Sequence, residues 1–133
     1  MKRDLDLIRD ILLKCEKSEE RYFDIGTYEW TDHDMREREL QSDDWNESEV
    51  FHLDLLTQGG FIQRSVSEHS DIEMFEITWV GYDYIEAVRN ENIWRKTKAA
   101  VAESGASLTI ELVKGVAASF AKTQLKKHTG IEL

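Results

Sequence analysis

The chain has no proline among its 133 residues, a single cysteine, and only seven glycines. The absence of proline excludes a Pro-rich linker or a polyproline recognition segment. One cysteine excludes an internal disulfide. Cys15 follows Leu5, Ile8 and Leu12 at helical spacing, which reads as a buried structural thiol in a reduced, cytoplasmic setting. No window approaches the roughly 18 apolar residues of a membrane span. The opening "MKRDLDLIRD" places Asp4, Asp6, Arg9 and Asp10 where a secretory segment must be apolar, so neither export nor membrane association is expected.

Motifs for chemistry are also missing. His33, His52, His69 and His128 are widely separated, and no second His or Cys stands at zinc-ligand spacing. The "TDHD" stretch lacks the glycine and the downstream glutamate of a calcium loop, and reads as a solvated acidic segment. "TQGGF" lacks the spacing and the Lys-Ser/Thr pair of a phosphate loop. No serine or cysteine sits in a nucleophile elbow. The expectation is a protein without catalytic residues, metal or cofactor.

What is present is acid, unevenly spread. The net charge is −10; residues 1–50 hold 16 acids and eight bases, residues 51–90 seven and two, and residues 91–133 four and seven. A surface of this sign repels phosphate, which disfavours nucleic acid as a partner and favours a protein that presents positive charge.

Periodicity then divides the chain. Leu5, Ile8, Leu12 and Cys15 predict a first helix over 4–17. "YFDI" (22–25) predicts a short strand. An acidic insert over about 26–45 follows, read as partly helical around Met35 to Leu40. Asn46 and Glu49 have capping-box spacing and predict a helix over 46–58 that stops at Gly59-Gly60. "FIQRSV" and "IEMFEIT", separated by "SEHSD", predict a hairpin. Thr78 is the expected cap of a helix through Val80, Tyr84, Ile85 and Val88. Two further helices are expected over 93–103 and 108–127.

This order gives an α+β fold, mainly helical: a winged helix-turn-helix-like domain over 1–92 with the hairpin as wing, and a C-terminal helical extension over 93–133. Trp79, Ile77, Leu53 and Leu56 are expected at the centre of the core. The other aromatics, Tyr82, Tyr84 and Trp94, are also expected inside.

"HLDLLTQGGFI", "ITWVGYDYIEAVRNENIWRKTK" and "ESGASLTIELVKGVA" resemble the bacterial and prophage family called domain of unknown function 2513. The resemblance covers nearly the whole chain, and Trp79, Gly81, Ile85, Arg89, Trp94 and Lys96 carry most of it. It implies a small winged-helix-like protein of phages and their hosts, and transfers no catalytic residue. The 26–45 insert departs from the family pattern.

Two readings of function follow. In the first, the chain is a protein-interaction or regulatory module that acts on a host or phage nucleic-acid-handling protein through an acidic surface of Asp32, Asp34, Glu37, Glu39, Asp43 and Asp44. In the second, it is a sequence-specific DNA-binding regulator, with contacts from Asn46, His52, Gln58 and Arg64 and phosphate contacts from the C-terminal lysines. The predicted recognition helix holds no Lys or Arg, which weighs against the second. A final expectation is a homodimer through the apolar stripe Leu112, Val113, Val116, Ala117 and Phe120.

Overall fold

The computed structural model describes residues 1–30, 38–67 and 70–130. They form two compact units, Met1–Tyr82 and Asp83–Leu133. The division falls between Tyr82 and Asp83, inside a continuous helix.

In the first unit, helix α1 (Leu5–Lys17) starts where Asp4 accepts hydrogen bonds from the Asp6 and Leu7 amides, and it ends with Lys14 and Lys17 in the last turn. Both ends complement the helix dipole. Leu5, Ile8, Ile11, Leu12 and Cys15 are buried, as their spacing predicts.

Strands β1 (Phe23–Trp30), β2 (Arg38–Gln41), β3 (Ile62–Val66) and β4 (Ile72–Ile77) build one antiparallel sheet in the order β2-β1-β4-β3. In β4 alternate residues, Glu73, Phe75 and Ile77, are buried. That is the two-residue period of a strand with one covered face.

The insert differs from expectation. β1 runs on past Ile25 to Trp30, and Arg38–Gln41, placed on the edge of a possible helix by sequence, pairs with Thr27–Trp30 as a strand. "RELQ" has helix-forming side chains, but a cross-strand partner outweighs local propensity in so short a segment. Of the expected helical stretch, Met35 to Leu40, residues 35–37 lie outside the described residues and residues 38–40 are strand.

Helix α2 (Glu47–Gln58) carries the predicted capping box: Asn46 Oδ1 accepts from the Glu49 amide, and the Asn46 amide donates to Glu49 Oε1. It closes with a Schellman turn, in which the Phe61 amide reaches the Leu56 carbonyl and Gly60 adopts φ +79°. That left-handed conformation suits glycine. Leu53, Leu56 and Ile77 are buried, as expected.

Helix α3 (Trp79–Val88) begins on Thr78, whose Oγ1 accepts from the Gly81 amide. Trp79 overturns its expected place in the core: it is 84% exposed. The reason is helical phase. Gly81, Ile85 and Val88 are buried, and Trp79 lies about 200° around the helix from Gly81. Tyr82 is likewise exposed, whereas Tyr84 and Trp94 are buried as expected.

The second unit holds α4 (Glu91–Ser104) and α5 (Ile110–Thr129), which pack together. Asn90 caps α4 through the Ile93 amide, Thr109 caps α5 through the Leu112 amide, and Trp94, Thr97 and Val101 of α4 are buried with Val113 and Ala117 of α5. No helix among the described residues is long and apolar enough to cross a membrane.

Candidate interaction surface

The inner side of α2 is committed to structure. His52 is 1% exposed. Its Nε2 accepts from the Asp4 amide at 2.9 Å, and its Nδ1 lies 2.6 Å from the Ser48 carbonyl. A carbonyl only accepts, so Nδ1 carries the proton. His52 therefore ties the start of α1 to α2 and is not presented to a ligand.

Arg64 is also spoken for. Its Nη1 donates to Asp54 on α2, and its Nε stands 3.5 Å from Glu73 Oε1 on β4, at ion-pair distance without hydrogen-bond geometry. Glu73 is buried, and a buried carboxylate needs such a counter-charge. Of the four residues proposed to touch DNA, Arg64 and His52 are held inside the fold and Asn46 caps α2; Gln58 is exposed at the end of that helix. Between residues 46 and 78 Arg64 is the sole Lys or Arg, against seven acids.

The outer edge of the sheet has the opposite character. Glu29 on β1 pairs directly with Glu39 on β2, and both are exposed. Asp43 and Asp44 follow on the exposed link to α2. Asp32, Asp34 and Glu37 lie outside the described residues. Like charges directly opposite one another repel, so this pairing is unfavourable until a cation lies over it.

Trp45 anchors that edge. Its ring is buried, its indole Nε1 donates to the Asp24 carbonyl at 2.9 Å, and Lys14 Nζ lies 4.8 Å from its ring centre. The sequence reading treated Trp45 as the end of a surface insert. Its position immediately before the N-cap Asn46, where a hydrophobic staple residue stands, was the available signal. Beside it is an open notch of about 390 Å³ with apolar walls from Leu40, Trp45, Val50 and Phe51 and carboxylates from Glu47 and Asp54.

A second exposed feature escaped sequence reading. Trp79 and Tyr82 are three residues apart on α3 and exposed, as is Tyr22. Arg21 stacks 5.1 Å from the Tyr22 ring and donates to Glu76 Oε2 at 2.9 Å, and this hydrogen bond, followed by the neighbouring Tyr22 and the Glu76 charge, raises the guanidinium pKa. Burial pushes the Cys15 thiol up to about 11, with Lys14 opposing weakly. Among the described residues no group of three or more His, Cys, Asp or Glu is arranged to hold a metal.

Of the stripe expected to dimerise, Val113 and Ala117 are buried within the chain, and Leu112, Val116 and Phe120 are half-buried. α4 packs against α5, so covering Val113 and Ala117 does not require a second copy.

No solved structure matches the chain. A protein of Haemophilus influenzae strain Rd, described as an uncharacterized protein, is 30% identical over 121 residues, covering 88% of this chain and 92% of that relative. The model of the family described as "Hypothetical protein (DUF2513)" matches residues 2–107. Capped α2, its Gly59-Gly60 stop, the hairpin and the run from β4 into α3 all fall within those residues, and the chain belongs to that family.

Proposed function

We propose that this is an acidic, winged-helix-like interaction module of phage or prophage type. It acts on a protein that presents positive charge, such as one that handles nucleic acid. The order α1, β1, α2, β3, β4, with β1 beside β4, supports the winged-helix reading. It is a variant in which β2 and α2 together stand where a helix pair precedes the wing in the usual motif.

The observation that carries the functional reading is the fate of Arg64. A winged helix that reads DNA sets cations on its recognition helix and wing; here the lone candidate cation between residues 46 and 78 is neutralised by Asp54 and Glu73. The same unit, Met1–Tyr82, holds 21 acids and nine bases, a net −12. Glu29, Glu39, Asp43 and Asp44 supply an exposed anionic edge, and the neighbouring notch accepts the aliphatic stem of a lysine or arginine with its head toward Glu47.

The test compares two measurements on the full chain at low salt. In the first, random duplex DNA is titrated in a mobility-shift assay, and no shift dependent on Gln58 is expected. In the second, proteins are captured from host lysate by the native chain and by the Glu39→Lys/Asp43→Lys/Asp44→Lys variant. The expected result is a basic protein retained by the first and lost by the second. A DNA shift abolished by Gln58→Ala, at an exposed position, overturns the reading in favour of a DNA-binding regulator.

A further inference from the structure

The second unit reverses the charge of the first: residues 83–133 carry eight bases and six acids. Between α4 and α5 lies a cleft of about 220 Å³. Lys96 enters its wall from α4, and Lys127 and His128 from α5. Among the described residues no carboxylate lines it. Neither lysine has an ion-pair partner among the described residues.

Two ammonium groups on separate helices, brought to one cleft without a counter-charge, repel one another, and a bound anion removes that cost. The rest of the wall adds information about the anion. Phe120 and Ile93 are half-buried and apolar, a surface on which a flat ring stacks. Asn92 and Gln124 add amide donors and acceptors. Asn92 Oδ1 already accepts from Arg95 Nη2 at 2.6 Å, which leaves the Asn92 amide N–H groups for a ligand. The volume is smaller than the roughly 300–1,000 Å³ of pockets for drug-sized ligands, so the cleft suits a small ligand with an aromatic portion and one charged group.

We propose that this cleft binds a phosphate-bearing aromatic ligand of the nucleoside monophosphate class, its phosphate between Lys96 and Lys127 and its ring against Phe120. The α5 half of the cleft lies beyond the residues matched by the family model. The cleft draws on none of the residues of the acidic surface.

The experiment is calorimetric titration of the full chain at low salt with adenosine monophosphate, inorganic phosphate and adenosine in separate runs. The expected result is binding of the monophosphate at least tenfold tighter than either inorganic phosphate or adenosine. Lys96→Gln/Lys127→Gln lowers that affinity at least tenfold, with the circular dichroism spectrum unchanged because both side chains are exposed. Gln124→Ala, also at an exposed position, weakens the monophosphate and leaves inorganic phosphate unaffected. No monophosphate binding, binding equal to that of inorganic phosphate, or binding undiminished in the double lysine variant each overturns the proposal.

Discussion

Arg64 shows how one side chain separates a structural cation from a functional one. It joins α2 to β4 through Asp54 and Glu73, and its side chain is 19% exposed against 8% for Glu73. Arg64→Ala leaves the Glu73 carboxylate buried without its counter-charge, and a loss of roughly 3–5 kcal/mol in chemical denaturation is expected. Replacing both members, Arg64→Met with Glu73→Leu, recovers most of that loss, because the cost comes from the orphaned charge and not from the missing pair. Cys15 is the second residue with a sharp expectation. Its thiol pKa is raised by burial from 9.0 to about 11, so the folded state holds the proton more tightly than the unfolded state does. The associated stability is complete below pH 9 and falls as pH rises from about 9 through about 11. At pH 8 a disulfide reagent is expected to label the native thiol at least about a hundredfold more slowly than the denatured one, because the buried thiol holds its proton and lies out of the reagent's reach.

At the scale of elements, α3 meets the residue that leads into β3 through backbone. A Cβ on Gly81 would stand 2.1 Å from the Phe61 carbonyl oxygen and 2.8 Å from the Ile77 side chain. Gly81→Ala is therefore expected to lower stability by roughly 1–3 kcal/mol despite its better helix propensity, and a thermal melt measures it. The same helix shows what was legible in advance. Caps were readable because they rest on one side chain and one amide a few residues apart: Asn46, Thr78 and the Gly59-Gly60 stop all stand where the sequence placed their helix ends. The buried stripe of α1 was readable because it is long and periodic. Strand β2 was not, because four residues that favour a helix become a strand only through pairing with β1. Trp79 was misplaced because an aromatic residue at a strand-helix junction has no period of its own. The buried glycine two positions on sets the phase. Of the candidate site, the acidic character was legible by counting, but the neutralisation of Arg64 depends on Asp54 and Glu73, which only folding brings to it.

At the scale of the whole molecule, composition is partitioned between the units, with net −12 in residues 1–82 and +2 in residues 83–133. Association with a basic partner through the acidic unit is expected to be steered by long-range attraction. Stopped-flow association rates should fall steeply, by tenfold or more, between 10 mM and 150 mM salt, with dissociation rates nearly constant. A rate independent of salt would show that charge does not guide the encounter. Trp79 and Tyr82 stand exposed at the start of α3. Because no side chain intervenes between Gly81 and the Phe61 carbonyl, the first turn of α3 rests directly on the backbone that leads into β3. Trp79 therefore stands on a mount that is already rigid: the backbone conformational entropy that a loop-borne tryptophan would surrender on any contact has largely been lost when the chain folds.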